Sequence, residues 1–345
     1  MKKKLVIITL LLLPLLAPLA CRKKDSNFGR TATPVALAVP PGWPQPVYNV
    51  ADNPLTAEGI ELGRKLFYDG RLSQDGNFPC ASCHQQPAAF GTFAHDLSHG
   101  FNNSHTLRNA PPLQNLAWHR EFHHDGGITH LDLQPLAPIT NPLEMAETIE
   151  NVLNKLRADA AYRQAFRAAF GSEEITTQRM TRALSQFMLT MVSADSKYDR
   201  VKRGEASFNL PESLGYDIFK AKCATCHQEP LFTDLSYRNN GLPIDRVLQD
   251  FGRMRITKNP ADSLKFKVPS LRNVMVTNYY GHDGRFFDIF QVLEHYNTGV
   301  VNGPTTDPLL RNKLPLSNFE KGQLVAFLST LTDSAFLRNG KLAQP

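Results

Sequence analysis

Two pentapeptides constrain this chain more than any other feature. Four of its five cysteines fall in two pairs, Cys80 with Cys83 and Cys223 with Cys226, and a histidine follows each pair directly, giving CASCH at 80–84 and CATCH at 223–227. Four cysteines in an exported chain would ordinarily read as disulfides, and a cysteine tetrad as a zinc site. Neither reading needs a histidine after the second cysteine in both halves. Cys-x-x-Cys-His is the attachment motif of c-type haem, in which two thioethers anchor the porphyrin and the adjacent imidazole is held beneath the iron. The pattern predicts two covalent c-type haems, one on Cys80, Cys83 and His84, the other on Cys223, Cys226 and His227.

The fifth cysteine, Cys21, ends an apolar run of 16 residues from Leu5 to Ala20, which Lys2, Lys3 and Lys4 precede. A membrane-spanning helix needs about 20 residues, so residues 1–20 read as an export signal. The junction with Cys21 resembles a bacterial lipoprotein signal, whose cysteine becomes the acylated N-terminus, although Pro18 is unusual there and cleavage elsewhere is the alternative. The expected location is the periplasmic side of a bacterial membrane, with contact to the membrane only through that lipid. Residues 21–52, with Pro34, Pro40, Pro41, Pro44 and Pro46, cannot form a helix and read as an extended tether. The formal charge of +6 drops to +3 once residues 1–20, with three Lys and no acid, are removed. That field is too weak to indicate nucleic acid, and no basic stripe interleaved with aromatics occurs.

The two halves correspond around their motifs. Gly63, Leu66 and Phe67 precede the first as Gly215, Ile218 and Phe219 precede the second. Downstream, APPLQN (110–115) matches VPSLRN (268–273) and HDGG (124–127) matches HDGR (282–285), both displaced by 158 positions. Ala183, Leu184 and Phe187 correspond to Leu324 and Phe327 in the last apolar helix. Ordered blocks of this kind indicate internal duplication. Helical periodicity marks 56–68, 146–170, 176–191, 212–222, 288–296 and 317–331, with no competing alternation. The expected fold is mainly α, two cytochrome c-like haem domains at 53–205 and 206–345, parted near the charged stretch at 197–205.

With RNAPPL at 108–113, QPLAPITNPLEM at 134–145, FKVPSLRN at 266–273 and HDGRF at 282–286, the mature chain resembles the bacterial di-haem cytochrome c peroxidases and the related MauG-type enzymes. The resemblance implies a peroxidatic N-terminal haem, a C-terminal haem that passes electrons in, and a calcium ion between the domains. It places Gln134 and Glu144 on the distal side, the amide holding bound peroxide and the carboxylate shuttling a proton between its oxygens, as O–O heterolysis requires. On pattern alone Glu144 could instead be an acid at a helix N-terminus. His99 matches the histidine that caps the N-terminal iron until activation, in preference to His95 or His105. Asn109, by its side chain, and Thr277 and Tyr279, by backbone oxygens, match the calcium ligands, a donor set that suits this ion. Arg272 would pair with a haem propionate.

Two positions depart from the peroxidases. Tyr296 stands where they carry a methionine ligand to the C-terminal iron, as in MauG, with Met275 and Met254 as alternative ligands. His124 replaces the tryptophan found between the haems in both subfamilies, which leaves direct tunnelling or Trp118 for the relay; its repeat partner His282 reads as structural. The resemblance implies reduction of hydrogen peroxide with electrons from a small cytochrome c or cupredoxin, and allows a homodimer. The alternatives are a MauG-like oxidase acting on a protein or organic substrate, which Tyr296 favours, and a non-catalytic di-haem carrier, which Gln134 and Glu144 disfavour.

Overall fold

A computed structural model describes residues 32–345; the expected export signal, the acylated Cys21 and the first part of the tether lie outside the described residues. The first half comprises α1 (Ala57–Phe67), α2 (Cys80–Cys83), α3 (Leu136–Thr140), α4 (Ile149–Ala158), α5 (Ala160–Phe170) and α6 (Thr177–Leu189). After α7 (Lys197–Lys202) come α8 (Leu210–Lys222), the strand β1 (Tyr237–Arg238), α9 (Met254–Thr257), the strand β2 (Phe266–Lys267), α10 (Ile289–Glu294), α11 (Asn318–Ser329) and α12 (Ser334–Leu337). The fold is mainly helical, and β1 and β2 pair antiparallel with Tyr237 opposite Lys267.

Local chemistry sets the helix ends. Thr56 caps α1 by accepting from the Gly59 amide, while Asn209 with Glu212 and Ser317 with Glu320 form reciprocal capping boxes at α8 and α11. The helix expected over 146–170 is two helices, because the Asp159 side chain accepts from the Ala161 amide and starts a new one. The charged stretch near 200 is partly helical: Ser196 and Asp199 box the start of α7.

Each half is built on one helix crossing. α1 packs on α6 and α8 on α11. Both crossings are glycine contacts: a Cβ at Gly63 would strike the Ala183 carbonyl and Phe187, and one at Gly215 would strike the Gln323 carbonyl and Phe327. Around the first crossing Leu62, Leu66, Phe67 and Phe187 are buried; around the second Phe219, Phe232, Leu324 and Phe327. Burying each such side chain contributes about 1.5–3 kcal/mol, so the crossings anchor two apolar clusters. The end of the chain returns to the first cluster, with Phe336 and Leu342 buried in it and Tyr68 donating to the Leu342 carbonyl at 2.8 Å.

The Pro-rich segment expected as a tether is extended, but from Pro34 it lies along the first half. Pro34 bridges Thr56, the amides of Val47 and Tyr48 donate to the Ala117 carbonyl, and Trp118 donates to the Pro44 carbonyl at 2.7 Å. Between the halves, Arg108 pairs with Asp125 at 2.6 Å and with Asp250 at 2.5 Å.

Candidate active site

His84 follows the single turn of α2 and accepts its orientation from the loop behind it. Ala89 and Phe90 have left-handed backbones (φ 55° and 59°) that turn the Phe90 carbonyl towards the ring, 2.8 Å from Nδ1. A carbonyl can only accept, so Nδ1 carries the proton and Nε2 keeps its lone pair for a metal. His227 is held alike, with Nδ1 facing the Phe232 and Pro269 carbonyls at 3.1 Å each, and Phe232 is again left-handed. Burial lowers both histidine pKa values, which keeps the imidazoles neutral as ligands must be. The thiols of Cys80, Cys83, Cys223 and Cys226 are all free.

One cavity is lined by Cys80, Cys83, His84, His99, Gln134 and Glu144, with Phe67, Leu113, Leu184 and Met188 among its apolar walls. Residues separated by 60 positions in the chain, expected to serve one haem, thus meet around one space. An apolar slot with two thiols and an imidazole at its base fits a covalently bound porphyrin. At the second motif Cys223, Cys226 and His227 repeat the same donor set.

Glu144 lies in the turn between α3 and α4. It is not an acid at a helix N-terminus: Glu150 occupies the first turn of α4. Asn141 donates to Glu144 Oε1 at 2.7 Å and fixes the carboxyl, while burial raises its pKa against that hydrogen bond. Gly100 is needed beside it, because a Cβ there would collide with Leu143 O and the Glu144 backbone, and the Phe101 amide donates to Glu144 O at 2.7 Å. This clamp brings the 98–100 segment, and with it His99, to the cavity wall. His99 Nδ1 contacts Asn103 Oδ1 at 3.1 Å, and its ring lies between His95 and His105 at 4.6 and 4.5 Å. Gln134 ends a 3-10 turn and directs its amide at His123 Nε2, 3.4 Å away. Sequence reasoning passed over His123, whose left-handed backbone (φ 65°) has no signal in a single sequence.

Tyr296 sits in a π-turn at 295–299 that extends α10. Burial pushes its phenol up to about 12, the nearby Cys223 and Cys226 add to the shift, and Asn240 opposes it. Met275 packs at the edge of the second cluster, and Met254 lies on α9.

Arg272 differs from expectation. Its guanidinium is fully buried and bidentate on Asp199 at 2.8 and 2.9 Å, donates from Nε to Pro230 O, and lies 4.5 Å from the Trp43 ring. The capping box of α7 fixes Asp199 there, so a protein carboxylate supplies the charge partner that a propionate was expected to be. His124, in place of the family tryptophan, donates from Nε2 to Asn109 O at 2.9 Å, and burial lowers its pKa to about 4. His282 stacks on Phe266 at 3.8 Å. Trp118 is buried in the first cluster, edge-on to Trp43 at 5.0 Å.

Of the expected calcium ligands, Asn109 is tied to the 277–282 loop by its amide, which donates to His282 O at 2.8 Å, and its Nδ2 donates to Asp96 O. The Thr277 hydroxyl donates to Val274 O, and Tyr279 is left-handed (φ 60°). Among the described residues no group of three or more His, Cys, Asp or Glu is placed to hold a metal ion, and no helix is long and apolar enough to cross a membrane.

The family model of the di-haem cytochrome c peroxidases matches residues 57–207. The chain is 36% identical to the methylamine utilization protein MauG of Methylorubrum extorquens, over 84% of this chain and 82% of that one. It is equally 36% identical to the cytochrome c551 peroxidase of Nitrosomonas europaea, over 84% and 83%. Among solved structures, a MauG-like protein associated with microbial copper homeostasis superposes with a TM-score of 0.83 at 34% identity, covering 90% of this chain and 99% of that one.

Proposed function

Because the chain belongs to the di-haem cytochrome c peroxidase family of haem-dependent oxidoreductases, which carry two c-type haems, we propose that it reduces hydrogen peroxide to water with electrons from a small redox protein, a cytochrome c or cupredoxin. The observation that carries this reading is the single cavity that gathers Cys80, Cys83, His84, Gln134 and Glu144. A haem held there supplies an iron that binds peroxide and exchanges electrons with it. The protein supplies the proton chemistry. Glu144, with its pKa raised by burial, takes the proton of the inner peroxide oxygen and returns it to the departing outer oxygen, while Gln134 donates a hydrogen bond to the ligand. His99, on the same wall, caps the site at rest and leaves on activation. In the second half Cys223, Cys226 and His227 would hold the other haem, which would take in donor electrons.

The mirrored glycine crossings and histidine–carbonyl contacts support descent of the two halves, 53–205 and 206–345, from an internal duplication. Calcium at Asn109, Thr277 and Tyr279 would brace the seam between them, and acylation of Cys21 would hold the enzyme at a periplasmic membrane face.

A second reading, oxidation of a protein or organic substrate in the manner of MauG, is favoured by Tyr296. An anionic phenolate stabilises ferric iron more than a thioether does, which lowers the potential of that centre. Steady-state peroxide consumption by the holoprotein with reduced cytochrome c separates the readings. A peroxidase oxidises the donor in proportion to peroxide. An oxidase consumes peroxide slowly until its own substrate is added, and a carrier exchanges electrons without consuming peroxide.

A further inference from the structure

Four tyrosines donate to carboxylates: Tyr48 to Asp132, Tyr162 to Asp69, Tyr198 to Glu229 and Tyr237 to Glu121. Two of these pairs, Tyr198 with Glu229 and Tyr237 with Glu121, join residues of the two halves, and the second sets its phenol against the 124–127 loop. Tyr237, in β1, gives its phenolic proton to Glu121 Oε2 across 2.6 Å. β1 leaves the second haem motif directly, since the Asp234 amide donates to the Cys226 carbonyl at 2.8 Å. On its other side the phenol lies against the 124–127 loop of the first half, where a Cβ at Gly126 would collide with the phenol oxygen. In the same loop the His124 carbonyl accepts from the Lys267 amide, opposite Tyr237 in the strand pair.

The surroundings favour one kind of chemistry. Arg253 stacks on the Tyr237 ring at 3.7 Å and donates to Glu121 and to Asp125 O, and the Lys267 ammonium donates to Glu121 O. Burial acts to raise the Glu121 pKa, but the Tyr237 and Arg253 hydrogen bonds outweigh it and hold the carboxylate ionised. The Arg253 guanidinium over the ring and the Lys267 ammonium at the Glu121 carbonyl oppose a phenol radical cation. They oppose a neutral phenoxyl radical far less, so removal of an electron is favourable only when the proton leaves with it.

We propose that Tyr237 is a redox-active tyrosine that stores an oxidising equivalent at the seam between the haem sites. The inference rests on the peroxide chemistry proposed above, which supplies the oxidant. One electron passes from the Tyr237 phenol to a peroxide-oxidised haem centre, and the O–H proton moves along the hydrogen bond to Glu121. The products are a neutral phenoxyl radical and a neutral carboxylic acid. Such a station would keep the second equivalent of peroxide inside the protein until a donor arrives, a role that the imidazole at position 124 serves poorly.

The test uses the holoprotein with both haems, oxidised and free of donor, mixed with hydrogen peroxide, freeze-quenched and measured by electron paramagnetic resonance alongside its optical spectrum. A tyrosyl radical is expected that narrows when the protein carries ring-deuterated tyrosine and is lost in Tyr237→Phe. That substitution keeps the ring and its stack on Arg253. Glu121→Gln retains the tyrosine but removes the charged acceptor, and should slow radical formation roughly tenfold or more. A radical that persists unchanged in Tyr237→Phe, or that ignores deuteration, overturns the proposal, as does the absence of any radical while the haem spectrum responds to peroxide. A haem spectrum that does not respond to peroxide overturns the proposed function instead. If Tyr237→Phe fails to fold, unchanged radical kinetics in Glu121→Gln are themselves sufficient to overturn it.

Discussion

Replacing Glu144 by Gln removes the ionisable group from the distal cavity while leaving nearly everything else. The side chain keeps its volume, and its remaining carbonyl oxygen can still accept the 2.7 Å hydrogen bond from Asn141. What is lost is proton transfer, which contributes about 10²- to 10⁴-fold, or about 2.7–5.4 kcal/mol of barrier. His99 leaves the site on activation and cannot replace the carboxylate during turnover, so the expected loss is on the order of 100-fold or more. Stability should not fall with it. Burial raises the Glu144 pKa above its unfolded value, so the folded state binds that proton more tightly, and this contribution is present at low pH and lost as pH rises through the raised value. At neutral pH the ionised carboxylate is a cost to folding, which Gln does not incur. The same shift sets the pH profile: turnover of the wild type should drop on acidification once pH falls through the raised pKa, and this limb should vanish in the variant. Stopped-flow and steady-state peroxide reduction with reduced cytochrome c, beside thermal unfolding, measure all three. Unchanged turnover, or a loss matched by unfolding, refutes the assignment of Glu144 as the proton carrier.

Other outcomes follow from the same geometry. A pyridine haemochrome assay should give two haems per chain, and Cys80→Ser with Cys83→Ser should halve that number while the second Soret band persists. Tyr296→Met should raise the reduction potential of the C-terminal haem in a spectroelectrochemical titration and create a near-infrared sulfur-to-iron band; that band in the native protein, lost in Met275→Ala or Met254→Ala, would reassign the ligand. Asp199→Ala strands the buried Arg272 charge and should cost about 3–5 kcal/mol in chemical denaturation, well above any effect on haem content. Gly215→Ala should cost about 1–3 kcal/mol by forcing α8 away from α11, seen as a lowered unfolding midpoint.

How much of this site could be read from the sequence follows from how far apart its partners lie in the chain. The haem anchors were legible because covalent attachment demands two thiols and an imidazole within five residues, and no tertiary contact alters that. The helix crossings were legible in outline, since Gly63 and Gly215 precede matching apolar positions, although the carbonyls they touch are more than 100 residues away. Resemblance to a family carried Gln134, Glu144 and His99 to one haem, and the cavity brings them together. It gave no notice of the Arg272–Asp199 pair, because that partner depends on where α7 begins, and that start is set by a local capping box with no long-range signature. The Tyr237–Glu121 pair was invisible for a similar reason. Nothing in the spacing of residues 121 and 237 relates them; the register of a two-residue strand pair and one glycine without a Cβ do. Position 124 shows what this implies for chemistry. Read alone, the imidazole expected there in place of an indole suggests a lost relay. In the folded protein the same loop bears on an oxidisable phenol already paired with a base, so the seam retains a group suited to hold a hole, supplied by the opposite half of the chain.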